Sequence, residues 1–122
     1  MKLLLTEDNP INCEIAKMVL TQEGFSVDTA ENGREAVDII TSAPEDTYSV
    51  ILMDIQMPVI NGYEAAMRIR AMKGAKSKIP IIALTANTFE DDRKAASEAG
   101  MNSQVSKPFQ PEQLISAIEK LL

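Results

Sequence analysis

Apolar residues in this chain fall into short unbroken runs, separated by stretches of helical period. Leu3-Leu4-Leu5-Thr6 is apolar without alternation, the pattern of a strand covered on both faces. Val50-Ile51-Leu52-Met53 has the same form, as does Ile79-Pro80-Ile81-Ile82-Ala83-Leu84. Pro80 there sits near a strand start, where its missing N–H is tolerated. Phe25-Ser26-Val27-Asp28-Thr29 alternates, so one of its faces is wetter, and Gln104-Val105-Ser106 reads as a short, weak strand. Three central strands and two edge strands are expected.

Helices fill the intervals. Pro10 opens the first, Ile11, Ile15, Met18 and Val19 are expected on its inner face, and Gly24 closes it. A second runs from Asn32 to about Ala43 with Ala36, Val37 and Ile40. A third runs from Gly62 to about Met72 with Tyr63, Ala66, Met67 and Ile69. Thr88 with Asp91 has the form of a capping box, opening a fourth helix that carries Ala95, Ala96 and Ala99 and stops at Gly100. Pro111 opens the last, with Leu114, Ile115, Ile118 and Leu121 turned inward. Five βα units in one domain over residues 1–122 predict a doubly wound, flavodoxin-like parallel sheet of order 2-1-3-4-5, helices on both faces. In such sheets the site lies beyond the carboxyl ends of the strands, at the switch point between strands 1 and 3.

Composition narrows the chemistry. The chain has 122 residues, one domain's length, with 45% apolar and 25% charged residues. It has no His, which excludes a Ser-His-Asp triad, a His metal site and a phosphohistidine carried by the chain itself. Its single cysteine, Cys13, excludes an internal disulfide and a Cys-rich zinc site, and fits a reducing, cytoplasmic compartment. Cys13 reads as a small helix residue rather than a redox centre. No apolar run approaches the roughly 20 residues of a membrane span, and Met1-Lys2 leads into Leu3 without a signal-peptide layout, so no direct membrane contact is expected. The net charge of −6 disfavours direct nucleic-acid binding and permits a magnesium site. Arg68, Arg70, Lys73, Lys76 and Lys78 are expected to form a solvated basic face. The seven methionines read mostly as core filler, with Met57 offering its backbone N–H in the loop after Asp54.

The strand ends gather the polar chemistry. Strand 1 runs into Glu7-Asp8, strand 3 into Asp54, strand 4 into Thr85-Ala86 and strand 5 into Ser106-Lys107-Pro108. Three carboxylates on one rim repel unless a cation joins them. Lys107 supplies one positive charge, and Mg²⁺ suits the remainder because it accepts a few carboxylates and keeps waters that a phosphoryl oxygen can displace.

Glu7-Asp8-Asn9, Asp54-Ile55-Gln56-Met57-Pro58 with Gly62, Leu84-Thr85-Ala86 and Ser106-Lys107-Pro108 together resemble the receiver domain of two-component response regulators. The resemblance covers essentially the whole chain, and the wording around Asp8 and Thr85 is most like receivers attached to hybrid sensor histidine kinases. It implies that Asp54 is the phosphoacceptor and attacks the phosphorus of a phosphohistidine on a histidine kinase or a His-containing phosphotransfer domain. It implies Mg²⁺ held by Asp8, Asp54, the backbone carbonyl of Gln56 and Glu7, the last directly or through water. Lys107 would pair with the phosphoryl oxygens, aimed inward by a cis bond to Pro108, and the Thr85 hydroxyl and Ala86 amide would bond the phosphoryl group. Gln56 and Asn87 occupy positions that tune acyl-phosphate lifetime in the family. Such domains signal through the face made by the fourth helix, fifth strand and fifth helix, where a downstream effector or a dimer partner would dock. Gln104 stands where the family usually has an aromatic switch residue, which implies a different output mode; from the residues alone it reads as exposed on an edge strand.

Three other readings compete, of which a flavin-binding flavodoxin-like domain would want a phosphate-binding Ser/Thr/Gly-rich loop after strand 1, where Glu7-Asp8-Asn9 would instead repel phosphate. A degenerate receiver acting only as a binding module has Gln104 in its favour, and the Asp8, Asp54, Thr85 and Lys107 set against it. An aspartate-nucleophile phosphatase of the haloacid dehalogenase type expects its nucleophile on the first strand and a second Asp two residues on, where this chain has Gln56. The domain is therefore expected to take part in its own phosphoryl transfer and dephosphorylation rather than to act as an enzyme. The chain stops just after the last helix, as expected of a stand-alone receiver or a portion of a larger kinase.

Overall fold

A computed structural model of the chain describes residues 2–55, 60–85, 90–106 and 111–121. Five strands alternate with five helices: β1 Lys2–Thr6, α1 Pro10–Gln22, β2 Ser26–Ala30, α2 Gly33–Ser42, β3 Val50–Asp54, α3 Gly62–Arg70, β4 Ile81–Thr85, α4 Glu90–Glu98, β5 Ser103–Ser106 and α5 Pro111–Lys120. All pairings are parallel and the order is β2-β1-β3-β4-β5, as the alternation predicted. A 3-10 turn at Gly74–Lys78, in a stretch read as loop, precedes β4. The proposed capping pair lies partly outside the described residues, since Thr88 is not among them.

Each face of the sheet has its own core. Leu4, Ile51, Met53, Ile81 and Ala83 pack with α2, α3 and α4. Leu3, Leu5, Val50, Leu52, Ile82 and Leu84 pack with α1 and α5 through Ala16, Leu20, Leu114 and Ile118. β3 and β4 are buried at every position, which is why their sequences show no alternation.

α1 turns the opposite way to the expectation. Ile11, Ile15 and Met18 are exposed, while Cys13, Ala16 and Leu20 face the sheet. The reason is size: small side chains at Cys13 and Ala16 let the helix axis approach β1 and β2 closely, and Leu20 fills the remaining space. Met67 on α3 is likewise exposed, with Ala65, Ala66 and Ile69 inside. Met18 and Met67 are therefore not core filler, whereas Met53 and Met101 are.

The amino-terminal end of the sheet carries two polar ties. The Arg70 guanidinium, expected on a solvated face, donates to Gly100 O at 2.9 Å, Ser77 O at 2.9 Å, Ile79 O at 2.7 Å and Asn102 Oδ1 at 2.9 Å. Asn102 Oδ1 also accepts from Ile81 N, so one group binds the ends of α3 and α4 to the start of β4. Gly100 turns the chain there at φ +90°, and a Cβ on it would lie 2.7 Å from Arg70 Cγ. In the second tie, the Tyr48 hydroxyl donates to Asp28 Oδ2 at 2.6 Å, and Lys2 Nζ lies 3.1 Å from the same oxygen.

Burial, then the hydrogen bond to Asp28 and its charge, push the Tyr48 phenol up to about 12. The same hydrogen bond pulls Asp28 below its ordinary value of 3.8. The Tyr48 contribution to stability is complete below its ordinary value of 10.0 and is lost as pH rises toward about 12. The Asp28 contribution is present above 3.8 and lost as pH falls through its depressed value. In a Tyr63→Phe variant, which leaves Tyr48 as the only tyrosine, ultraviolet titration is expected to show phenolate appearing near pH 12. A midpoint near 10 would contradict the tie.

Candidate functional site

The strand register builds the site. Thr6 is level with Met53, Asp54 with Leu84 and Thr85 with Ser106, so β1, β3, β4 and β5 end at one edge. Glu7 extends β1 by one ladder bond, its N–H donating to Ala30 O at 3.1 Å. Ile55 N donates to Leu84 O at 3.1 Å, and Gly62 N to Ile55 O at 3.0 Å, which fixes the chain on leaving Asp54.

Glu7, Asp8 and Asp54 meet there. Each offers a carboxylate oxygen, and the three oxygens lie within 4.8 Å of one another. Glu7 and Asp54 are each 3% exposed, while Asp8 is at the surface. Asn9 N donates to Glu7 Oε1 at 3.3 Å, orienting that carboxylate, and Asn9 Oδ1 caps α1 by accepting from Ile11 N and Asn12 N. Three negative charges in so small a space repel strongly where little water screens them. Hard oxygen donors at this spacing, two of them buried, fit a divalent cation such as Mg²⁺.

Thr85, 5% exposed, ends β4 on the same edge. Gln104 departs from its expected exposure: its Nε2 is buried and has no hydrogen-bond partner among the described residues. Alternation with Val105, which packs in the α1 and α5 core, turns Gln104 toward the α4 side of the sheet, so its amide end is shielded even though β5 is an edge strand. Lys107, Pro108, Ala86, Asn87, Gln56 and Met57 lie outside the described residues. Cys13, on the inner face of α1, has its thiol pushed up by burial and by the Glu7 charge, which keeps it protonated and a poor nucleophile.

Three residues support the site without belonging to any apolar period, two of them, Asn32 and Gly62, expected as helix starts and the other, Asn61, not. Asn32 caps α2 by accepting from Glu35 N at 2.8 Å, and Asn61 caps α3 by accepting from Glu64 N at 2.9 Å. Asn-x-x-Glu, seen at both, is the signal that marks them. Gly62 is the third. A Cβ on it would fall on the Asp54 carbonyl oxygen and lie 2.9 Å from Ile55 Cα, so α3 starts against the backbone of the site because this residue has no side chain.

The fold is that of doubly wound α/β domains, which bind their ligands at the switch point beyond the carboxyl ends of the strands, where this carboxylate cluster lies. The particular family follows from comparison: residues 3–119 match the model of the response regulator receiver domain, and the chain belongs to that family. The hybrid signal transduction histidine kinase I of Dictyostelium discoideum is 38% identical over 120 residues, covering 96% of this chain and 7% of that protein. The receiver domain of the sensor histidine kinase PA1611 from Pseudomonas aeruginosa PAO1, solved with a magnesium ion in its active-site cleft, superposes with a TM-score of 0.88 at 37% identity, covering 98% of this chain and 95% of that one. The Saccharomyces cerevisiae complex of the phosphotransfer protein Ypd1 with the receiver domain of Ssk1 matches at 0.88 and 32% identity, covering 99% of this chain and 88% of its counterpart. The chain is thus a receiver domain of two-component phosphorelay signalling, and it spans only 7% to 14% of the first curated relatives it matches. Among the described residues, no helix is long and apolar enough to cross a membrane.

Replacing Gly62 with Ala is expected to lower folding stability by about 1–3 kcal/mol, because the added methyl meets backbone that cannot step aside. Urea denaturation of the variant beside the wild type measures it; an unchanged midpoint would mean that the close approach is not required.

Proposed function

We propose that Asp54 accepts a phosphoryl group from a phosphohistidine on a partner protein, and that the resulting acyl phosphate switches the surface the domain presents. The observation that carries this reading is the convergence of Glu7, Asp8 and Asp54 on one point, with Asp54 almost wholly buried at the end of a central strand. An Asp54 carboxylate oxygen forms the new O–P bond as the P–N bond to the donor imidazole breaks and the imidazole leaves with its electron pair. Burial favours this. It holds the nucleophile in one orientation and strips water that would otherwise compete for the phosphorus.

Glu7, Asp8 and Asp54, with the Gln56 carbonyl, would hold Mg²⁺, which supplies charge neutralisation for the carboxylates and the incoming phosphoryl oxygens. Lys107 gives a further point charge against the phosphoryl group, and the Thr85 hydroxyl and Ala86 amide donate to its oxygens. The Met57 amide, three residues beyond Asp54 in the sequence, would add a donor. Pro108 sets the direction of Lys107, and Gln56 and Asn87 govern how readily water reaches the acyl phosphate.

The donor is a histidine kinase or a phosphotransfer domain: this chain has no His, and a receiver similar to it was crystallised with such a protein. The readout surface is α4, β5 and α5, open to an effector or a second receiver. The domain acts in the cytoplasm and serves its own phosphorylation and hydrolysis rather than turning over a separate substrate.

With Mg²⁺ and acetyl phosphate, intact-mass spectrometry is expected to show one added phosphoryl group on the wild type and none on Asp54→Asn. Excess chelator is expected to abolish the gain. Equal gain in the variant, or full-rate gain in chelator, would overturn the assignment. Lys107→Ala is expected to retain Mg²⁺ affinity while slowing phosphorylation by about tenfold or more, the scale of losing one charged contact to a transferring group. An unaltered rate would remove Lys107 from the mechanism.

A further inference from the structure

The α4-facing side of β5 holds a buried donor without a partner among the described residues. Val105 packs in the α1 and α5 core, so alternation along the strand turns Gln104 to the opposite face, level with Ala83 of β4. Gln104 is half-buried, yet its Nε2 is out of water and unpaired among the described residues. A carboxamide NH₂ carries two donors, and a conformation that leaves them buried and unmet is disfavoured against one that satisfies them.

A suitable acceptor lies on the same face. Thr85 is two residues beyond Ala83 on β4, buried, and level with Ser106. Thr85 and Gln104 are therefore diagonal neighbours on adjacent strands, roughly 7–8 Å apart at Cα and within reach of a long side chain. A hydroxyl can donate one hydrogen while accepting another.

We propose that Gln104 is a positioning residue for the phosphorylated state: its Nε2 donates to Thr85 Oγ1 while the Thr85 hydroxyl donates its own hydrogen to a phosphoryl oxygen on Asp54. The relay rests on the assignment of Asp54 as phosphoacceptor. It turns an unmet donor in the resting domain into a bond made only after phosphorylation, so the desolvation already incurred at rest favours the phosphorylated arrangement. Hydrogen bonds in such a chain polarise one another, which strengthens the contact Thr85 makes. The relay carries the event from β4 to β5 through a polar side chain where an aromatic ring would act by changing its packing.

The test uses the whole chain and beryllofluoride with Mg²⁺ as the phosphoryl mimic, titrated by calorimetry. Gln104→Leu keeps the volume and removes the donor. It is expected to weaken beryllofluoride binding by about tenfold, the scale of one hydrogen bond to a charge-bearing network, with Mg²⁺ affinity unchanged. Its resting form is expected to melt at or above the wild-type temperature, since an unpaired buried donor has gone; a merely structural residue would lower it. In a Thr85→Val background, Gln104→Leu is expected to have no further effect on beryllofluoride binding. Wild-type affinity in Gln104→Leu, an equal loss in the Thr85→Val background, or a parallel loss of Mg²⁺ affinity would overturn the relay alone. Failure of the wild type to bind beryllofluoride, or binding that survives Asp54→Asn, would overturn the phosphoacceptor assignment and the relay with it.

Discussion

Two carboxylates, Glu7 and Asp54, are held almost out of water with a third, Asp8, beside them at the surface. Their mutual repulsion opposes folding, and the surrounding structure has to hold them in spite of it. The parallel register does most of this. Glu7 directly follows β1 and Asp54 is the last residue of the adjacent β3, and each strand is anchored by an apolar core on both faces. Neither carboxylate can withdraw without moving a strand. Stability in the cores thus holds the three carboxylates together at one point.

That constraint explains the small residues. Gly62 lets α3 begin against the Asp54 carbonyl, and Ala65 and Ala66 let the same helix lie close to the sheet. Cys13 and Ala16 serve α1 in the same way. Bulk is concentrated in the strands, where Leu and Ile fill both cores. The polar ties of Arg70 and Tyr48 lie at the other end of the sheet, where they secure the connections without adding charge near the carboxylates.

Much of this was readable from residue order. Unbroken runs such as Leu3–Leu5 and Val50–Met53 mark central strands because only doubly covered strands lack a polar face. Strand order and the switch point then place Glu7, Asp8 and Asp54 together before any coordinates are known. Helix orientation was harder. On α1 the large apolar residues Ile11, Ile15 and Met18 outweigh Cys13 and Ala16 in any apolar count, yet packing distance favours the smaller set. The burial of the Gln104 Nε2 was hidden for a related reason: an edge strand is open along its edge, but part of a side chain on its face can still be shielded. The role of Arg70 depends on three carbonyls and one amide brought together from distant positions, which no local pattern announces.

The caps on α2 and α3 have one further consequence, for how the protein ages. Asn32 and Asn61 each precede a glycine, and glycine leaves its backbone nitrogen least shielded from attack on the preceding side-chain carbonyl. Ring closure by that route converts asparagine to aspartate or its isomer. In the folded chain those carbonyl oxygens are engaged by Glu35 N and Glu64 N, so closure must wait until a helix end frays. Deamidation at the two Asn-Gly pairs is therefore a slow clock that runs only while the first turns of α2 and α3 are open. A new aspartate at either place would add negative charge on the side of the sheet where three carboxylates already crowd.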